Sequence, residues 1–166
     1  MVRRKTRRPP RARHSASTGA AGERSVRQTL VGLTELRSKA EQGSVVAQSM
    51  LGISYLHGYE VERDLSEAFR WLTLAADRGA PRAEAWLGTM YEEGLGVVAD
   101  FDRARGLYER AARKGEFFAC IFLGRLLANG KAGTVDRAGA AHWYGEAAKM
   151  DVAPCAELDE ARSFVA

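Results

Sequence analysis

The sequence of 166 residues has few of the features that mark secreted, disulfide-linked or membrane-spanning proteins. It contains two cysteines, Cys120 and Cys155, and neither belongs to a C-x-x-C pair, so we expect reduced, mostly buried thiols. No stretch approaches the roughly 18 consecutive apolar residues that indicate a transmembrane helix. No apolar segment follows the basic N-terminus, which argues against a secretory signal. These absences predict a cytoplasmic protein without a transmembrane segment.

Acidic residues are missing from residues 1–22, which carry seven cations between Arg3 and Arg13 and therefore sum to +7. The whole chain carries +4, so the remainder carries −3. We expect residues 1–24 to form a disordered basic tail. Three interpretations of this tail stay open: an arm that contacts nucleic acid or an anionic membrane, an acid-free transit peptide, or a solvated extension that has no dedicated role or follows from a start codon placed too early.

The sequence repeats with a period of 36 residues. Nine positions are identical in three consecutive copies without a gap. They are Ala40, Ala76, Ala112; Gly43, Gly79, Gly115; Ala47, Ala83, Ala119; Leu51, Leu87, Leu123; Gly52, Gly88, Gly124; Gly58, Gly94, Gly130; Asp64, Asp100, Asp136; Ala68, Ala104, Ala140; and Ala75, Ala111, Ala147. A fixed period of this length is typical of a solenoid built from helical repeats.

Each repeat reads as two helices. First helices are predicted over 44–57, 80–93 and 116–129, each followed by glycine, and second helices follow Asp64, Asp100 and Asp136 as N-caps. Glu67 lies three residues after Asp64 and suggests a capping box. Gly52 and its equivalents lie inside the first helices, where glycine costs about 1 kcal/mol relative to alanine, so close helix packing must offset that cost.

The flanks of the repeats match half-repeats with polar outer faces, as the ends of a solenoid require. Residues 25–41 match a second helix, and residues 152–165 match a first helix that has become more polar. The predicted fold is therefore an all-α solenoid of eight helices over residues 25–166. Its repeats cover about 44–79, 80–115 and 116–151, and 152–165 form a C-terminal cap.

The segment from Ala83 to Val97, followed by Asp100, Ala104, Ala111-Ala112 and Gly115, resembles a Sel-one-like repeat, a relative of the tetratricopeptide repeat. The resemblance covers about residues 40–150 in three copies. It implies a right-handed superhelix of helix pairs that acts as a non-catalytic scaffold or adaptor for other proteins. The loops of the first and third copies depart from the family's Gly-x-Gly-Val pattern. Some members carry a disulfide within each repeat, and this chain lacks those cysteine pairs.

Signals for catalysis or cofactor binding are weak. Residues 94–99 match the dinucleotide fingerprint G-x-G-x-x-A, but they follow a helix and not a strand. The three histidines, His14, His57 and His142, have no metal-ligand spacing. A β-lactam or cell-wall hydrolase, an activity of some disulfide-rich relatives, would need an activated serine or cysteine that the pattern does not provide. We therefore expect no enzyme activity, cofactor or metal.

The repeat register also indicates which large side chains are packed and which side of the first helices binds a partner. Trp71 and Trp143 share a register position with Leu107, and Trp86 shares one with Met50 and Phe122, so both sets are interpreted as packing residues. Because Ala47, Leu51 and Tyr55 form the core side of the first helix, we expect the opposite side to line a concave partner-binding groove. The predicted partner-binding residues are Ser49, Ile53, Leu56, Ala85, Thr89, Glu92, Ile121, Arg125 and Ala128. The sequence names neither the partner nor the oligomeric state.

Overall fold

The structure, a computed structural model, describes residues 32–150, 152 and 155–165. These residues form eight helical segments and no strand, which confirms the all-α prediction. The basic tail and the beginning of the N-terminal cap lie outside the described residues. The helices are α1 (32–41), α2 (Val45–His57), α3 (Leu65–Asp77), α4 (Pro81–Glu93), α5 (Phe101–Arg113), α6 (Phe117–Asn129), α7 (Arg137–Ala148) and α8 (Ala156–Val165). First helices are α2, α4 and α6, and second helices are α3, α5 and α7.

The repeated aspartates begin the second helices as predicted. The Asp64 carboxylate accepts the backbone N–H groups of Ser66 and Glu67, at 2.9 and 3.0 Å. Asp100 and Asp136 accept N–H groups three residues later. The predicted capping box is wrong, because Glu67 does not reach back to Asp64. Its carboxylate instead accepts the indole N–H of Trp71 at 2.9 Å, one turn further along the helix.

The mid-helix glycines permit close approach of the two helices in each repeat, as the sequence predicts. A β-carbon on Gly52 would lie 2.7 Å from Cγ of Leu72, and one on Gly88 would lie 2.6 Å from Cε1 of Tyr108. At Gly124 the nearest atom is Cδ2 of Tyr144, at 3.1 Å. Any side chain at these positions would push the second helix away, which explains why glycine recurs despite its low helix propensity.

From α2 to α8 the helices stack in chain order, and each packs against the next one. First helices also contact the first helix of the next repeat, and α6 contacts α8 in the same way. Alanine, leucine and tyrosine side chains fill the interior between them, and Trp71 is 3% exposed, which confirms it as a core residue. Polar contacts join repeats at their ends: Lys114 donates to the carbonyl of Gly79 at 3.0 Å, and Arg78 makes the equivalent bond to Gly43. The first helices α4 and α6 therefore each contact four other helices.

Candidate partner-binding face

Five of the nine predicted partner-binding residues lie in the core, so the expectation that they face outward is wrong. The buried residues are Ser49, Ile53, Leu56, Ala85 and Ile121, with exposed fractions of 5%, 9%, 2%, 0% and 0%. The prediction treated the first helix as buried on one side only. In the structure α2 and α4 each pack against their own second helix and the next first helix; α4 also packs against α2 and α3, and Gln48 of α2 binds the carbonyl of Ala40 on α1. The outward side is consequently narrow and lies beside the predicted residues.

The other four predicted residues, Thr89, Glu92, Arg125 and Ala128, are half-buried. Two of them bind the side chain of Tyr108, whose hydroxyl contacts Thr89 Oγ1 at 3.2 Å and donates to Glu92 Oε2 at 3.0 Å. The remaining oxygen of Glu92 accepts from Lys131 Nζ at 2.9 Å. Their role in partner binding stays a prediction, and their polar groups already have partners within the protein.

Arg125 is part of a polar network that holds the C-terminal cap. Its Nε and Nη2 atoms bind the two carboxylate oxygens of Glu160 on α8, at 3.1 and 2.5 Å. Tyr144 donates its hydroxyl proton to Glu160 Oε1 at 2.7 Å. The hydrogen bond from Arg125 holds the pKa of Glu160 below its usual value, while burial raises the pKa of Tyr144. Charge reversal at Arg125 would therefore disturb the docking of α8, whether or not Arg125 contacts a partner.

An exposed apolar surface lies along the outward side of the first helices. Val46 and Met50 on α2 are 70% and 51% exposed, and Trp86, Phe118 and Phe122 on the next two first helices are half-buried. The Trp86 ring lies 5.7 Å from the Phe118 ring and 5.5 Å from the Phe122 ring. We call these five residues the first-helix strip. The interpretation of Met50, Trp86 and Phe122 as packing residues is only partly right, because Met50 is largely exposed.

Aromatic residues at the end of α2 extend this strip. His57 stacks on Tyr59 with a centroid distance of 5.0 Å and meets the Trp86 ring edge-on at 4.8 Å. Burial and the nearby Arg63 lower the pKa of His57, which favours its neutral form against these rings. The strip could have been found in the sequence. Met50, Trp86 and Phe122 share one register position, and Val46 and Phe118 share another, at which α4 carries the exposed Arg82. Both positions lie next to the core positions of Ala47 and Leu51.

The residues that could suggest catalysis or cofactor binding, a cysteine, a glycine-rich segment and a buried glutamate, all have structural roles. Burial raises the pKa of Cys120 to about 11, so its thiol is a poor nucleophile at neutral pH. Residues 94–99 form the loop between α4 and α5, as expected from the sequence. The Glu84 carboxylate is 3% exposed and pairs with Lys114 at 2.9 Å and Arg110 at 3.2 Å. No helix in the described part of the chain has both the length and the apolar character needed to cross a membrane.

Comparisons with known proteins agree with the internal repeat. A family model described as the Sel1 repeat matches residues 45–79, 81–116 and 118–152. The crystal structure of a Sel1 repeat protein from Oxalobacter formigenes is 39% identical, with a TM-score of 0.65, over 81% of this chain and 96% of that one. A protective antigen of uropathogenic Escherichia coli with an SLR fold is 38% identical, with a TM-score of 0.65. The match covers 70% of this chain and 25% of the antigen. No curated protein matches the sequence.

Proposed function

This chain belongs to the Sel1 repeat family, and from that premise we propose that it is a non-catalytic scaffold that binds a partner protein through the first-helix strip. Proteins of this family generally mediate protein–protein interactions. The observation that carries the proposal is the exposure of Val46 and Met50 on α2 together with the ring cluster of Trp86, Phe118 and Phe122 on the next two first helices. Contiguous apolar groups on the surface of a folded domain indicate an interaction site.

The arrangement of the strip fits an amphipathic helix of the partner. Met50, Trp86 and Phe122 occupy the same register position on three successive first helices, which pack roughly 8–10 Å apart. Seven residues of an α-helix span about 10.5 Å, so apolar residues at positions i and i+7 of the partner would meet successive members of this row. Val46 and Phe118 lie one turn away on their helices and widen the strip to receive residues at i+3 or i+4.

Polar contacts at the border of the strip would contribute orientation more than affinity. Glu92 is held by Lys131 and Tyr108, and Arg125 is held by Glu160, so a partner would have to share these groups or displace their present contacts. Both ion pairs have a solvent-exposed cation, and pairs of this kind contribute little to affinity. The apolar anchors therefore carry most of the proposed binding free energy.

The test begins with capture of partners from the native host by the full chain and by a chain lacking residues 1–24. After identification and purification of the partner, its affinity is measured for both chains at low and high salt. Binding through the strip predicts equal affinities and a weak salt dependence, because the contacts are apolar. An interaction that requires the tail and weakens steeply with salt would instead support the alternative, an arm that contacts nucleic acid or an anionic membrane.

A further inference from the structure

A second apolar surface lies on the other side of the solenoid, between the second helices α3 and α5. Phe69, Thr73 and Leu107 line a crevice of about 450 Å³ above Leu87 and Tyr91 of α4. Phe69 meets the Tyr91 ring edge-on at a centroid distance of 5.9 Å, which forms one wall. We call this the back crevice. Its volume lies within the range of about 300–1,000 Å³ found for sites that hold small ligands or side chains.

The repeats themselves show that the fold does not require this crevice. The equivalent surface one repeat later lies between the second helices α5 and α7. There Arg105 and Glu109 occupy the register positions of Phe69 and Thr73, and Arg105 Nε binds Glu109 Oε1 at 2.9 Å. His142 occupies the register position of Gly106. Gly106 lines the back crevice, and a β-carbon added to it would meet no atom within 4 Å. Charged and bulky side chains between α5 and α7 therefore occupy the positions that are small or uncharged between α3 and α5.

The rim of the back crevice carries accessible positive charge. Arg103 and Arg110 of α5 line its opening, with side chains 67% and 55% exposed, and Arg103 is paired with Asp100 at 3.3 Å. Arg110 shares the single carboxylate of Glu84 with Lys114, whose Nζ lies 2.9 and 3.0 Å from the two oxygens. Arg110 can therefore bind another anion while Glu84 stays paired. Asp77 lies on the α3 side of the opening, so an anion would be held on the α5 side.

A polar group at the crevice also lacks a partner. The hydroxyl of Thr73 is buried and makes no hydrogen bond among the described residues. Buried hydroxyls are normally satisfied, and leaving one unpaired is costly. Because Thr73 lines the crevice, an acceptor on a bound segment that reaches this hydroxyl could satisfy it.

We propose that the back crevice binds an apolar side chain of a partner protein whose neighbouring residues are acidic. The apolar side chain fills the space between Phe69 and Leu107. A flanking carboxylate binds Arg110, which shares its only carboxylate partner among the described residues with Lys114. The charge on the rim selects acidic over basic flanks. This site is separate from the first-helix strip, so either one can fail in experiment while the other holds.

The test uses the full chain with nitrogen-labelled amides and three short synthetic peptides. The probe peptide has one phenylalanine flanked by aspartates, and the matched peptides replace either the aspartates with lysines or the phenylalanine with serine. At about 1 mM the probe should shift amide resonances of α3 and α5 around Thr73 and Gly106, and each matched peptide should bind at least about tenfold more weakly. The absence of shifts, equal binding of the lysine peptide, or shifts confined to the first-helix strip would overturn the proposal.

A pair of glycine variants locates the site. Gly106→His introduces the side chain found at the equivalent position of the next repeat, and Gly145→His is the matched control on α7. A β-carbon added at either glycine would meet no atom within 4 Å, so both variants should fold. Gly106→His should fill the crevice and abolish the shifts, whereas Gly145→His should leave them unchanged. Persistence of binding in Gly106→His would show that the peptide binds elsewhere.

Discussion

Substitution of a single mid-helix glycine tests how the repeat closes. In Gly88→Ala the new β-carbon would lie 2.6 Å from Cε1 and 2.8 Å from Cδ1 of Tyr108. The tyrosine cannot move away freely, because its side chain is 0% exposed and its hydroxyl is bound to Glu92 and Thr89. Overpacking of this kind costs about 1–3 kcal/mol, with rigid neighbours at the upper end. Alanine is about 1 kcal/mol more favourable than glycine inside a helix, which offsets part of this cost. The free energy of unfolding should therefore fall by about 1–2 kcal/mol in total.

Gly106→Ala provides the matched control. Gly106 lies inside α5, where an added β-carbon meets no atom within 4 Å, so this variant should gain about 1 kcal/mol of stability. The two variants should therefore differ by roughly 5–10 °C in Tm, measured by thermal unfolding followed by far-UV circular dichroism. Gly124→Ala, with its nearest contact at 3.1 Å, should fall between them. If Gly88→Ala is as stable as Gly106→Ala, close helix packing does not explain the repeated glycines.

Three further predictions concern stability. Glu84→Ala leaves two cations without their buried carboxylate and should lower the free energy of unfolding, measured in urea, by about 2 kcal/mol. Glu84→Gln should lower it less, and equal stability of the alanine variant and the natural protein would contradict this. Glu60→Gly should raise stability by about 0.5–1 kcal/mol, because Glu60 has φ +60° where the second repeat has glycine, and a decrease would refute the strain argument. The lowered pKa of Glu160 means that its contact with Arg125 stabilises α8 above the ordinary pKa of 4.5 and is lost as pH falls below it. The protection of α8 amides from hydrogen exchange, taken relative to the intrinsic exchange rate at each pH, should fall over that acid range in the natural protein. This pH dependence should be lost in Glu160→Gln.

The sequence predicts the helices well because the repeat presents the same local signals three times. Predicted and observed first helices differ by one residue at their N-termini, and Asp64 and its equivalents cap the second helices as expected. Glu67 shows where local rules fail. The backbone N–H of Asp64, which a capping box would give to Glu67, donates to the carbonyl of Tyr55 at 3.1 Å, and the Glu67 carboxylate accepts the indole N–H of Trp71. Capping rules describe an isolated helix and do not include the demands of a buried indole.

The candidate binding face was harder to predict, for a geometric reason. Helical periodicity identifies one buried direction on a helix but does not reveal how many neighbours the helix has. Ile53 and Leu56 are opposite Leu51 on α2, and they are buried because α2 packs on several sides. The arrangement of Arg125 with Glu160 depends on the docking of α8 one full repeat later in the chain, which periodicity alone does not specify.

The central claim is that partner binding uses the first-helix strip, and a matched pair of charge substitutions tests it most directly. Met50 on α2 is 51% exposed, and Leu74 on the second helix α3 is 40% exposed, so both positions should accept glutamate without loss of the fold. Affinity for the purified partner is measured by calorimetry for Met50→Glu and Leu74→Glu. We expect Met50→Glu to weaken binding by at least about tenfold, equivalent to roughly 1.4 kcal/mol, while Leu74→Glu binds normally. Normal binding by Met50→Glu together with loss of binding by Leu74→Glu would place the partner on the second helices and contradict this claim.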